Sequence, residues 1–332
     1  MTHQARPLVT TIIPVYNRQE LLAASVASVI AQTHRPIEIL IVDDGSSQEY
    51  AQFYASLAKQ HSEITVITQP NQGPGAARET GRLKAKGEFI QYLDSDDLIA
   101  PQKFTEQLQA LLSDASIHIC YGQCVEYRTT GEERDLNDAM LWKHLPPMRL
   151  TGTKQKALFP AILRERWWIT SAPLYRTSFL QKVGPWLNLI NEEDWEYDAR
   201  VASFGGEIAY TPKIVSVRLL HQEHLSAEGS IDPAKLADRC RARCAIYDSA
   251  KRYQANSNSC LITKSDWQFF SKSTFLLARQ CAKANLQSEF ESLLHVSIEA
   301  VGSKTVAHRV FLLAVRFLGI RGAATLFVWL GK

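Results

Sequence analysis

Long uninterrupted apolar runs are missing from this 332-residue chain. That removes a bundle of spanning helices from consideration, because one crossing takes roughly 18 or more consecutive apolar residues. Cysteine is sparse, with six residues at 120, 124, 240, 244, 260 and 281 and no secretory-signal pattern ahead of them. A disulfide scaffold is excluded on those grounds, and a reducing, cytoplasmic setting is expected. The pairs Cys120/Cys124 and Cys240/Cys244 are C-x3-C without histidines at zinc-finger spacing after them, so buried thiols are expected rather than a zinc site. Charge of one sign is lacking too. Lys plus Arg number 37 against 34 Asp plus Glu, a formal +3, which leaves no electrostatic footprint for nucleic acid. What remains is an ordinary globular composition, 45% hydrophobic and 21% charged, in a length that suggests roughly two domains. Any functional site must be local.

The first 130 residues alternate short apolar, β-branched runs with helical patterns, the punctuation of an α/β unit. Leu8 to Val15 reads as a buried strand, after which Tyr16-Asn17-Arg18 turns into a helix carrying Leu21, Leu22, Val26 and Val29. Ile37 to Val42 is a second strand, ending at Asp43-Asp44-Gly45-Ser46-Ser47, where glycine permits the turn and either serine can cap a helix through Leu57. A third strand spans Ile64 to Thr68; the loop Asn71-Gln72-Gly73-Pro74-Gly75 opens a helix to about Ala85, and a fourth strand, Glu88 to Leu93, ends in Asp94-Ser95-Asp96-Asp97. Strands joined through helices imply a mostly parallel sheet, whose ligands bind beyond the carboxyl ends of the strands. The polar clusters fall at those ends.

Two acidic clusters at the mouths of neighbouring strands repel one another unless a cation, protonation or hydrogen-bond donors intervene. A hard divalent ion, Mg²⁺ or Mn²⁺, is the economical partner, since it takes one or two carboxylates and fills its remaining positions with water and substrate phosphates. Such a site binds a phosphorylated ligand. The competing explanation is turn chemistry, because Asp, Gly and Ser are common in loops and at helix caps.

In order and spacing, the runs TTIIPVYNR, VDDGSS, NQGPGAARETG and FIQYLDSDD resemble the successive signatures of family 2 glycosyltransferases, which are inverting enzymes of the GT-A fold. The resemblance is close over residues 8–110 and looser to about 226. It implies a Rossmann-like, mostly parallel central sheet flanked by helices, within a transferase domain of residues 1–230 whose nucleotide-sugar half is 8–110 and acceptor half 111–230. Residues 231–332 form a helical appendage. By this similarity Pro14, Tyr16 and Asp43 contact the nucleotide base and ribose, with Arg78 near the nucleotide; Asp44 joins them or only stabilises the turn. Asp94-Ser95-Asp96 is the D-x-D element for ribose and metal, Asp96 being the first choice as ligand. A UDP-sugar is the expected donor.

The stretches SAPLYR at 171–176 and Asn191-Glu192-Glu193-Asp194-Trp195-Glu196 resemble the family's acceptor side, where a Glu-Asp pair carries the base. Asp194 is then the base and Glu193 its fallback. Moving a sugar from a nucleotide diphosphate needs both parts: charge neutralisation at the leaving diphosphate and a carboxylate to deprotonate the attacking hydroxyl. The alternative for Asp194 is a carboxylate stabilising the dipole of the helix that follows. His221 resembles a position that approaches diphosphate or metal, whereas a solvated loop histidine is the plainer reading, as it is for His224. Trp167, Trp168 and Trp195 are candidates to line an acceptor groove, since aromatic rings pack on the apolar faces of sugars; core packing is their other use.

From Pro233 onward helical patterns rich in Ala, Leu, Lys and Arg take over, closing with Val306 to Leu330, where Arg309, Arg316 and Arg321 interrupt the apolar residues. This terminal helix either rests peripherally on a membrane, which suits a lipid-linked acceptor, or packs on protein. No Q-x-x-R-W element follows Asp194, so a single addition to a saccharide or lipid-linked acceptor in surface polysaccharide or glycolipid synthesis is expected rather than a processive synthase. Two other classes compete. A sugar nucleotidyltransferase calls for a Gly-rich basic loop after the first strand, where this chain has Val15-Tyr16-Asn17-Arg18. A non-catalytic nucleotide- or sugar-binding protein would have no need to keep Asp94, Asp96 and Asp194.

Overall fold

The structure is a computed structural model that describes residues 6–128, 158–220, 232–256 and 262–329. The chain divides into two compact units. The first opens with β1 (Val9–Val15), α1 (Glu20–Ile30), β2 (Ile37–Asp43), α2 (Gln48–Gln60), β3 (Ile64–Thr68), α3 (Pro74–Lys84) and β4 (Phe89–Tyr92). These four strands pair in parallel, with Val15 opposite Asp43, Asp43 opposite Thr68 and Ile12 opposite Tyr92. Their apolar runs are continuous because helices cover both faces of such a sheet; every residue of β1 is buried. Pro14 sits within β1 as one of them, opposite Val42. At the start of α3, Gly73 has φ +89 and Pro74 occupies the first turn, where a missing N–H leaves nothing unpaired.

The sheet continues through β5 (Asp97–Ile99), α4 (Lys103–Ser113), β6 (Ile117–Arg128), β7 (Leu174–Arg176), α5 (Thr177–Val183) and β8 (Glu207–Leu220). Its eight strands lie in the order β3-β2-β1-β4-β7-β6-β8-β5. Only β7 and β5 run against the others, so the expected mostly parallel α/β sheet is present. One face is filled by Val9, Ile13, Leu22, Val26, Ile39, Ile41, Phe89 and Phe104.

The second unit comprises, among the described residues, 158–166, 189–205, 232–256 and 262–329. It holds a short 3-10 turn, Ala161–Leu163, followed by α6 (Glu193–Ser203), α7 (Pro233–Asn256), α8 (Lys264–Lys283), α9 (Gln287–Val301) and α10 (Val306–Trp329). The helical character expected after residue 230 is there, but the units interleave along the chain instead of parting at one cut. Thr263 and Asp266 form a reciprocal capping box at the start of α8, and Arg164 donates to the same Asp266. That pair ties the 158–166 strap to the helices. Cys240, Phe275, Cys281, Phe290, Leu293 and Phe311 build the core. Cys120, Cys124, Cys240 and Cys281 are buried and Cys244 is half-buried, and none of the five forms a disulfide among the described residues.

Candidate functional site

Because β1 to β4 are parallel, their carboxyl ends open at one edge, and the first unit concentrates its unusual side chains there. Asp43 ends β2 and is 1% exposed. Its Oδ1 accepts the Ser46 backbone N–H at 2.9 Å, while its Oδ2 is buried with no hydrogen-bond partner among the described residues. A buried carboxylate oxygen left unmatched costs on the order of 1–3 kcal/mol, and such an acceptor marks a place for a donor that the protein does not supply. Tyr16, one residue past the Val15 that pairs with Asp43, is exposed.

Asp44 has a different role. Its Oδ1 accepts from the Gln69 amide at 2.8 Å and the Gln72 N–H at 2.9 Å, and its Oδ2 from the Gly73 N–H at 2.8 Å. The carboxylate is occupied in bracing the loop that leads into α3. Gly45 permits the turn with φ +80; a Cβ there would lie 2.8 Å from the Asn71 backbone nitrogen. Neither serine caps α2 through its side chain. Ser46 Oγ instead accepts the Asn17 N–H, and the Ser47 N–H donates to Asn17 Oδ1, both at 2.9 Å. Asn17, at φ +46, thus stitches the loop after β1 to the loop after β2.

At the end of β4, Asp94 and Asp96 are half-buried, and each meets an arginine. Buried Arg78 donates to Asp94 Oδ1 at 2.6 Å, with its guanidinium 4.8 Å from the centre of the Trp186 ring. Arg18 reaches Asp96 at 2.8 Å and donates to Ser95 Oγ at 3.2 Å. Arg18, like Arg166 below, is a residue here that sequence reasoning missed. The need for a counter-charge to the acidic triplet is the signal that could have found it. Asp97 turns into the fold, where its Oδ2 accepts from the Ser171 hydroxyl at 2.5 Å. Burial first, then the nearby charges of Asp94 and Asp96, push its carboxyl well above the usual range. Of Asp94, Asp96 and Asp97, the first two keep part of their side chains exposed, 31% and 17%.

Among the described residues no three His, Cys, Asp or Glu side chains come together to encage an ion. Two carboxylates at a strand end are an all-oxygen donor set, which fits a hard Mn²⁺ or Mg²⁺ ion that retains waters and completes its shell on substrate phosphates. His221 and His224 lie outside the described residues, as do 129–157 of the stretch expected to cover the acceptor.

Glu193, Asp194 and Trp195 belong to the second unit. They open α6 after Glu192, whose φ of +58 lies in the left-handed region. Asp194 keeps 24% of its side chain exposed, and its Oδ2 accepts from Arg166 at 2.5 Å. The other end of the Arg166 fork reaches Asp198 at 3.3 Å. Glu193 is buried, so of the two carboxylates Asp194 is the more accessible. Glu192 takes Arg239 at 2.9 Å and Arg243 at 3.2 Å.

The three tryptophans separate. Trp168 is buried against Tyr121 in the core of the first unit, which removes it as a groove residue: its ring area is spent on packing. Trp195 donates its indole N–H to the Ile162 carbonyl at 2.8 Å and carries the Arg243 guanidinium over its ring at 4.2 Å. Trp167 is half-buried, and its indole N–H has no partner among the described residues.

Residues 10–168 match glycosyl transferase family 2. Over 226 residues the chain is 31% identical to a putative glycosyltransferase, EpsH, of Bacillus subtilis, an alignment covering 67% of this chain and 62% of that protein. It is 41% identical over 106 residues to the succinoglycan biosynthesis protein ExoW of Rhizobium meliloti, covering 31% of this chain and 33% of that one. The chain thus spans less than two thirds of these relatives. Among solved structures, S. aureus TarS 1-349 in complex with UDP-GlcNAc superposes with a TM-score of 0.63 at 17% identity, covering 96% of this chain and 89% of that one. The mannosyltransferase PcManGT from Pyrobaculum calidifontis, in complex with GDP-Man and Mn²⁺, follows at 0.52 and 16% identity, with coverages of 97% and 87%. At such identities the likeness is one of fold, the GT-A-like α/β architecture with C-terminal helices.

Proposed function

We propose that this chain, whose residues 10–168 are a glycosyl transferase family 2 domain, moves a single sugar from a nucleotide-diphosphate donor to a hydroxyl of a saccharide or lipid-linked acceptor, with inversion, in polysaccharide or glycolipid synthesis. The observation that carries the donor assignment is Asp43 Oδ2, a buried acceptor without a partner at the carboxyl end of β2. Uracil, guanine and thymine each carry an in-plane N–H that can meet such an oxygen, so the choice of a UDP-sugar among them rests on the family resemblance. Tyr16 and Pro14 flank the base, Arg78 stands near the diphosphate, and Asp44 holds the loop beneath them.

The acceptor oxygen attacks the anomeric carbon from the face opposite the diphosphate. A new C–O bond forms as the bond to the diphosphate breaks, and the hydroxyl proton passes to Asp194. Arg166 aims that carboxylate, and Glu193, buried beside it at the start of α6, is the fallback base. A Mn²⁺ or Mg²⁺ ion held by Asp94 and Asp96 would neutralise charge growing on the leaving diphosphate. No covalent intermediate on the protein is needed, since one positioned base suffices. No described helix is long and apolar enough to cross a membrane; a lipid-linked acceptor would be met by peripheral contact on the cytoplasmic face.

Calorimetric titration of UDP, GDP and dTDP, each with and without Mn²⁺, tests the donor site. The expected outcome is selective UDP binding that strengthens with Mn²⁺ and weakens in Asp96→Asn. Absence of binding by every nucleotide in every condition overturns the reading.

A further inference from the structure

A surface helix buries an apolar stripe and turns polar residues outward. The inner side of α10 obeys this: Phe311, Ala323 and Ala324 enter the core, and His308 is buried, its ring meeting Ser297 Oγ at 2.9 Å and taking the Thr305 N–H at 3.1 Å. The outer side does not. Val306, Val310, Leu313 and Phe317 are 76, 50, 57 and 77% exposed. At about 100° per residue they fall within roughly 60° of one another, on the side away from His308 and Phe311. The helix is therefore apolar on two faces, with only one of them covered.

Its charges are one-sided. Arg309 and Arg316 border the stripe along one flank, and Arg321 follows the break at Gly319, where φ is +70. All three are exposed, Lys304 stands just ahead of them, and α10 contains no Asp or Glu. An apolar stripe edged by arginines matches the boundary of an anionic bilayer, with hydrocarbon below and phosphate beside it. A second copy of the chain is the weaker match. A stable protein interface takes about 20–30 residues a side, whereas this stripe offers four, and α10 has no carboxylate to answer Arg309 and Arg316.

We infer that the Val306/Val310/Leu313/Phe317 face of α10 docks on an anionic lipid surface, lying in the plane of the headgroups with Arg309 and Arg316 on lipid phosphates. This extends the lipid-linked side of the proposed function, but it is measured without nucleotide or acceptor, so its failure leaves the donor-site test untouched.

Flotation of the full chain with phosphatidylcholine vesicles, and with vesicles of phosphatidylcholine mixed with phosphatidylglycerol, supplies the test. The expected result is binding to the mixed vesicles that falls at high salt, with little binding to phosphatidylcholine alone. Leu313→Ser with Phe317→Ser removes the wedge and is expected to weaken binding about tenfold or more. Arg309→Gln with Arg316→Gln keeps the wedge and is expected to lose a similar factor on mixed vesicles only. The four positions are exposed, so circular dichroism should show native helix; if the first pair fails to fold, the arginine pair decides. Lack of binding to the mixed vesicles, or equal binding by both variants and the native chain, overturns the inference. So does a lipid-free dimer that Leu313→Ser with Phe317→Ser dissolves, because the stripe is then covered by a second copy.

Discussion

Replacing Asp43 with asparagine exchanges one oxygen for an amide and leaves the shape of the side chain unchanged. In the native chain Oδ1 accepts the Ser46 N–H at 2.9 Å and Oδ2 is buried and unmatched. Asparagine offers one acceptor where the position needs two. If its oxygen stays on Ser46, the amide points at the nucleobase N–H; if it flips, the amide points at the Ser46 N–H. Either way donor faces donor. A hydrogen bond to a charged acceptor contributes about 1.5–3 kcal/mol, and a buried donor left unmatched costs about 1–3 kcal/mol. The net loss in nucleotide affinity is expected near 3 kcal/mol, roughly a hundredfold in Kd. Without ligand the fold should be nearly indifferent, within about 1 kcal/mol, because an unmatched buried charge is removed as an unmatched amide is introduced. Calorimetric titration of UDP with Mn²⁺ reads the affinity, and a urea melt reads the fold. Asp43→Asn binding UDP within about threefold of the native chain refutes the base-recognition argument.

Asp44→Ala strips the acceptor from the Gln69 amide and the Gln72 and Gly73 N–H groups; it is expected to cost about 3 kcal/mol in urea unfolding, and an unchanged midpoint contradicts the brace. Asp194→Asn is expected to cut donor turnover by about a thousandfold or more while UDP affinity stays within about twofold, and parallel loss of both would move Asp194 out of the role of base. Lys103 is fully buried with its Nζ on the Ala172 carbonyl at 2.6 Å, and burial pushes its pKa from 10.5 down to about 7. Between pH 7 and 10.5 the unfolded chain holds a proton there that the folded chain lacks, so stability rises with pH across that window and the penalty is complete below it. Lys103→Met leaves Ala172 bonded to the Gln107 amide at 3.0 Å. The variant should gain roughly 3 kcal/mol near pH 6 and progressively less towards pH 10; a gain that is flat across that range refutes the buried-ammonium argument.

The first four strands were legible because their signals are local. Strands β1 to β4 are covered on both faces, so they read as continuous apolar runs, and their polar ends are written next to them in the chain. Arg18 was not legible: its partners Ser95 and Asp96 lie 77 and 78 residues on, and no periodicity encodes a meeting across that distance. From sequence the core is the commoner use for Trp168 and a sugar groove the alternative, and its contact with Tyr121 decides for the core. The return of 158–166 and 189–205 to the helical unit rests on pairs such as Arg164 with Asp266 and Glu192 with Arg239. Each is an ordinary charged residue until its partner is known.

The two acidic doublets show why neighbouring carboxylates in such a site have unlike fates. Asp43 ends β2 with one oxygen unmatched, while Asp44, the next residue, is saturated by the 69–73 loop. Asp97 begins β5 and turns inward to Ser171, while Asp96, the residue before, stays half-exposed on Arg18. Asp44 and Asp97 are engaged by the fold itself, which leaves Asp43, Asp94 and Asp96 as the acids on which the proposed donor site would draw. The division also accounts for the raised pKa of Asp97. Burial is the larger cause, since it penalises the charged carboxylate, and the negative charges of Asp94 and Asp96 beside it add to the shift.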